Sequence, residues 1–202
     1  MKKGSFGLAI IAFGIIASLF IVVKAPKNNT PGNLYEASFY QKIDLKALDN
    51  EVYGNLIGGK LEPVLETIKI IHQNNVWLEI VHLVVPGYTD NLEEIKQMCL
   101  WLKKNTSEDV PVHFSRFWPK YKLTNLPPTP EETIKKARQV CQQVGMKYVY
   151  TGNIEDEEGS TTFCPANHQP LIKRIGYFVK ENLVSSNGKS PNCPETIPGV
   201  WK

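Results

Sequence analysis

The spacing of hydrophobic positions changes repeatedly along this chain. Near-continuous apolar runs predict short strands at Ile43 to Leu48, Val76 to Val85 (VWLEIVHLVV), Val110 to Phe117 and Tyr148 to Thr151. Between them apolar residues recur at helical spacing. Leu61, Val64, Leu65, Ile68 and Ile71 predict an amphipathic helix over Leu61 to Asn74. Leu92, Ile95, Cys99 and Leu102 predict a second, and Ile134, Ala137, Cys141 and Val144 a third that stops at Gly145. Asp90 or Asn91 suits the cap of the second helix, and Pro86-Gly87 ends the strand before it. Thr129-Pro130-Glu131-Glu132 reads as a capping box, with Thr129 accepting from the amide three residues on and Glu132 reaching back. The order β-α-β-α-β-α-β, with strands apolar nearly throughout, predicts an α/β fold: a parallel sheet covered by helices.

Outside this region the pattern differs. From Glu155 to Lys202 periodicity fades, and Cys164-Pro165, Asn187-Gly188 and Pro191 to Gly199 predict a loop-rich appendage. At the other end, Ser5 to Val23 is a run of 19 residues without a charge, flanked by Lys2 and Lys3 before it and Lys24 and Lys27 after it. At about 1.5 Å per helical residue such a run crosses most of a hydrocarbon core of roughly 30 Å. A cleaved secretory signal is the alternative. The run exceeds a usual h-region, and Pro26 follows the one plausible cut at Ala25, so an uncleaved transmembrane anchor is favoured. Lysines on both flanks specify orientation weakly, and the body is expected on the extracytoplasmic side. The expected organisation is an anchor at 1–24, a tether at 25–41, an α/β body at 42–154 and the appendage at 155–202.

Composition narrows the function. A net charge of +3 over 202 residues, with the basic residues dispersed, argues against a nucleic-acid partner. Cys99 and Cys141 fall on apolar helix faces and read as small core residues. His82 and His113 occur singly within strands and read as hydrogen-bonded structural histidines. No Ser-His-Asp arrangement is evident, and Gly58-Gly59 lacks the lysine and hydroxyl of a P-loop.

Several segments match one family in order and spacing. They are Ile43-Asp44-Leu45-Lys46, Gly59 to Thr67 (GKLEPVLET), Val84 to Asp90 (VVPGYTD), His113 to Phe117 (HFSRF), Pro127 to Pro130, Tyr148 to Asn153 (YVYTGN) and Ile197 to Trp201. Together they resemble the radical S-adenosylmethionine (SAM) proteins of the AmmeMemoRadiSam system, relatives of pyruvate formate-lyase activating enzyme. The resemblance covers about four fifths of the chain and implies a partial TIM-like β/α barrel. It also implies two cofactors: S-adenosylmethionine, and a [4Fe-4S] cluster held by a Cys-x3-Cys-x2-Cys loop. This sequence has no such loop. Its four cysteines, Cys99, Cys141, Cys164 and Cys193, lie far apart, and residues 1 to 41 contain none. No metal ligands are therefore expected.

Carried over residue by residue, the resemblance implies that Asp44, Lys46 and Glu79 face the cofactor. It also marks a departure: where the family usually reads Arg-Phe-His-Pro, this chain reads Arg116-Phe117-Trp118-Pro119. Family members carry a zinc ribbon with two Cys-x2-Cys knuckles near the C-terminus. Here Cys164-Pro165-Ala166-Asn167 and Ser190-Pro191-Asn192-Cys193 keep one thiol each. The resemblance thus implies a degenerate ribbon in which Cys164 and Cys193 lie close enough for a disulfide. That bridge would suit an oxidising compartment.

With about four strands and three helices of the family barrel, the first strand is left with an open backbone edge. A missing half-barrel polypeptide, a second copy of the chain, or poor folding of a split frame would each follow. Three functions follow in turn: a membrane-anchored, cluster-less accessory protein without radical activity; the C-terminal half of a split radical SAM enzyme; or an open half-barrel that binds an unrelated small ligand.

Overall fold

The computed structural model describes residues 40–201. The expected membrane anchor at 5–23 and nearly all of the tether lie outside them. Among the described residues no helix is long and apolar enough to cross a membrane.

Four strands form one sheet in chain order: β1 (Tyr40–Asp44), β2 (Trp77–Val84), β3 (Val112–Arg116) and β4 (Val149–Gly152), every neighbouring pair parallel. The crossovers contain α2 (Leu61–Gln73), α3 (Leu92–Asn105) and α4 (Glu131–Gln143). A short α1 (Asn50–Val52), capped by the Asp49 carboxylate, runs into a π-helical turn over Tyr53–Ile57 ahead of α2. The Asn91 side chain caps α3 by accepting from the amides of Glu93 and Glu94.

The sheet is covered more thinly than its strands predict. Burial alternates along β2, with Leu78, Ile80, His82 and Val84 buried and Trp77, Glu79, Val81 and Leu83 half-buried. The buried set, with Ile43, Leu45, Val112, Phe114 and Val149, packs against Leu61 and Ile68 of α2, Ile95, Met98 and Leu102 of α3, and Ile134 and Ala137 of α4. The opposite face carries Asp44, Lys46, Glu79, His113, Ser115 and Tyr150, and no helix of the described residues lies over it. The near-continuous apolar reading of β2 misses this because Val81 and Leu83 share the open face with Glu79.

Four further differences have physical causes. Strand β1 begins at Tyr40, inside the stretch read as tether, because its parallel register with Trp77–Val81 pairs Tyr40 and Gln41 as well. Thr129 forms no capping box. Its hydroxyl donates to the Val84 carbonyl at 2.6 Å and accepts from the Phe117 amide at 3.3 Å, tying the ends of β2 and β3 together, while Pro130 precedes α4 without a side-chain cap. Cys99 and Cys141 are buried in the core as expected, but they also face each other from α3 and α4 as a disulfide, with Cα atoms 5.5 Å apart.

The appendage, finally, is built on a sheet. Beyond α5 (Glu157–Ser160), strands β5 (Thr162–Phe163), β6 (Pro170–Ile175) and β7 (Phe178–Asn182) pair antiparallel around a small cluster that includes Cys164, Leu171, Ile172, Val184, Cys193 and Ile197. Its strands lack a legible alternation because most of β7 faces solvent on both sides.

Candidate functional site

The open face of the parallel sheet gathers all three residues that the resemblance places beside a cofactor. Asp44 and Lys46 flank buried Leu45 at the C-terminal end of β1, and their side chains pair at 3.3 Å. The Lys46 amide donates to the Tyr53 hydroxyl at 3.0 Å, which ties this end of β1 to the π-helical turn. Burial raises the Tyr53 pKa, with the Asp44 charge adding to the effect, so the phenol stays protonated.

Glu79 lies one strand away. One carboxylate oxygen meets His113 Nε2 at 3.2 Å, a diagonal contact between β2 and β3, and the other accepts from Trp77 Nε1 at 3.2 Å. Partial burial by itself would raise the Glu79 pKa. The His113 hydrogen bond and charge, the Trp77 donor and the Lys42 charge outweigh it and hold the carboxyl below its ordinary value. His113 stacks on Tyr150 of β4 with ring centroids 5.1 Å apart. The Tyr150 hydroxyl is 2.9 Å from Thr162 Oγ1, and the Arg174 guanidinium sits 5.8 Å from the Tyr150 ring centroid. A polar and aromatic row therefore crosses the open face from Glu79 to the appended sheet.

Each of the three expected cofactor residues already has an intramolecular partner. Sequence reasoning read His113 as structural and passed over Tyr150. The signal that joins them to Glu79 is the period-2 alternation of β3 and β4, which puts all three on one face. At the next level along the strands, Gly152 leaves room for Ser115: a Cβ there would lie 3.1 Å from the serine oxygen. Trp118, which stands in the family's histidine position, is half-exposed and stacks on Arg116 with the guanidinium carbon 4.4 Å from the ring centroid. Arg116 is further held by the Thr129 carbonyl at 2.7 Å and Glu131 at 3.0 Å.

Since the Glu79 pKa is depressed, the ionised carboxylate contributes stability above the ordinary carboxylate range. That contribution is lost as pH falls through the folded value. Glu79→Gln is expected to cost about 1 kcal/mol at neutral pH and to shrink the acid limb of a stability–pH profile measured by urea unfolding.

The cysteines do not fit an iron–sulfur cluster. All four are in disulfides, and neither pair belongs to the open face. Cys164 and Cys193, with Cα atoms 5.6 Å apart, are bonded inside the small cluster of the appendage. Among the described residues no three His, Cys, Asp or Glu side chains converge on a possible metal position.

No family model matches the chain. Over 151 residues it is 37% identical to an uncharacterized protein of Methanocaldococcus jannaschii, covering 75% of this chain and 44% of that protein. Over 127 residues it is 25% identical to the pyruvate formate-lyase 1-activating enzyme of Escherichia coli K12, covering 58% of this chain and 52% of the enzyme. A crystal structure of a domain of pyruvate-formate lyase-activating enzyme from Bacteroides vulgatus aligns over 55% of this chain and 66% of that one, with 18% identity and a TM-score of 0.47. The sheet and its crossovers make the described residues an α/β protein with a four-stranded parallel sheet. Over those 127 residues the chain is a distant relative of the pyruvate formate-lyase activating enzyme. The chain spans about half the length of the curated relatives it matches.

Proposed function

We propose that this protein is an accessory relative of the radical SAM proteins of the AmmeMemoRadiSam system, held at a membrane by residues 5–23, and unable to build the family's cluster by itself. The observation that carries the reading is the chemistry of the cysteines: all four are in disulfides, away from the sheet face where the resemblance expects a cofactor. Two disulfides also suit an extracytoplasmic body. Anaerobic treatment of the purified chain with ferrous iron and sulfide is expected to give no cluster absorbance and no bound iron after desalting. Stoichiometric cluster formation would overturn the reading.

One feature favours a second reading, the C-terminal half of a split radical SAM enzyme. Among the described residues β1 has no partner on its outer side, and the polar face beside it lies open, an arrangement that a separately encoded half-barrel or a second copy would complete. In this reading Asp44, Lys46 and Glu79 hold S-adenosylmethionine only in the joined barrel. Co-purification with a cluster-bearing half, followed by equilibrium dialysis with S-adenosylmethionine, tests it. Binding by the pair that falls at least tenfold in Asp44→Asn supports the split enzyme, and a pair that fails to associate excludes it.

A further inference from the structure

The tip of the β6–β7 hairpin is built to enter a lipid surface. Ile175 pairs with Phe178 across a two-residue turn in which Gly176 has φ +56° and Tyr177 does not have a positive φ, as a type II′ turn requires. The turn lifts four large apolar side chains into solvent: Ile175 is 62% exposed, Tyr177 101%, Phe178 70% and Val179 49%. By contrast, exposed Ile70 on α2 and Leu100 on α3 stand singly on helices whose opposite faces are buried. A contiguous apolar tip without a partner among the described residues marks an interaction surface.

We propose that this tip inserts into the interfacial layer of an anionic phospholipid bilayer. Three observations select lipid over another protein. First, Lys173 and Lys180 stand on the two strands behind the apolar residues. Lys173 pairs with Glu181 at 2.9 Å and lies in the field of Glu157, which leaves Lys180 as the cation free to meet a headgroup, while the Arg174 guanidinium turns inward onto the Ser160 carbonyl and the Thr162 hydroxyl. Apolar and aromatic side chains with cations behind them match an interface whose surface is negative and whose interior is hydrocarbon. Second, the tip is narrow: a two-residue turn closes it and Ile175 pairs with Phe178, so the outer edges of β6 and β7 are what it presents as unpaired backbone to the interfacial layer, where water and headgroups can meet them. Third, the uncharged run ends at Val23 and β1 starts at Tyr40, so residues 24 to 39 connect them. Fully extended, that segment spans about 50 Å, which keeps the body within reach of the bilayer that holds the run. This last point rests on the anchor reading, and the first two do not.

The test uses the full chain, reconstituted in vesicles of phosphatidylcholine alone or with phosphatidylglycerol, and carrying the photo-crosslinker p-benzoylphenylalanine in place of Tyr177 or, as a control, of Ile70. Both positions are exposed, so neither substitution disturbs the core. Lipid adducts are expected at 177, at least threefold more in anionic than in zwitterionic vesicles, and few at 70. Adducts at 177 to a second copy of the chain, equal yields at 177 and 70, or a yield indifferent to lipid charge would each overturn the proposal. Alkaline carbonate extraction of the same vesicles reports on the anchor separately. A chain that resists extraction but gives no lipid adduct sinks the tip and leaves the anchor. A chain that is extracted, yet gives charge-dependent adducts when returned to vesicles, does the reverse.

Discussion

Reduction of both disulfides is expected to unfold much of this protein. The Cys99–Cys141 and Cys164–Cys193 bridges close sequence separations of 42 and 29 residues. On a chain-entropy argument each restricts the unfolded chain enough to contribute about 3–4 kcal/mol. The two loops share no residue, so the contributions add, and together they approach the whole stability of many domains, about 5–15 kcal/mol. The effect should be sharpest in the appendage, where the cluster around Cys164 and Cys193 contains few other apolar groups. Urea unfolding with and without reductant, followed by circular dichroism and tryptophan fluorescence, measures it. Trp201 packs on the small cluster, so fluorescence should change at lower urea than ellipticity in Cys164→Ser/Cys193→Ser. Coincident midpoints for the oxidised and reduced protein would mean that neither bridge is present.

His82→Phe is expected to destabilise by about 1–3 kcal/mol. The His82 ring is buried against Phe114. Its Nδ1 lies 2.9 Å from the Leu45 carbonyl and its Nε2 3.1 Å from the Thr89 carbonyl, so it joins the end of β1 to the turn after β2. The neutral ring donates to one of these two carbonyls, according to its tautomer, whereas phenylalanine fills much the same volume and donates to neither. Burial holds the His82 pKa below its ordinary value, although both carbonyl contacts and Asp44 pull upward; Lys46 adds to the depression. The unfolded chain therefore binds the proton more readily than the folded one. Stability from this site is complete above the unfolded value of about 6.5 and falls as the pH drops below it. Urea midpoints of the parent should decline from about pH 7 toward pH 5, and His82→Phe should lose that part of the slope. A variant with the parent's full pH dependence would assign the slope to other groups.

The three main helices were legible because each carries an uninterrupted 3.6-residue apolar stripe, and Asn91 caps where its chemistry says it should. Strand positions were legible to within a few residues. The one-sided sheet was not, because a strand reading I-V-H-L-V-V has the same composition whether one face or both are buried. The glutamate that breaks the run, Glu79, was the available sign that one face stays wet. Thr129 shows a local motif overridden by tertiary structure: its hydroxyl served two strand ends better than its own helix. In the site, Asp44, Lys46 and Glu79 were found only through the resemblance. The ladder register brought in His113 and Tyr150, since Val81, His113 and Tyr150 pair across three strands. The Cys99–Cys141 bridge has no sequence signature, because helix crossing geometry decides whether two core thiols meet.

The outer edge of β1 also determines what the protein does when concentrated. Its residues read Tyr40-Gln41-Lys42-Ile43-Asp44. The inner edge of β1 is bonded to β2, so two folded copies could join along this strand only through their outer edges; run antiparallel about Lys42, they would set ammonium against ammonium there. A like-charge pair of that kind weakens the joining of two copies, and a strand of different sequence would escape it.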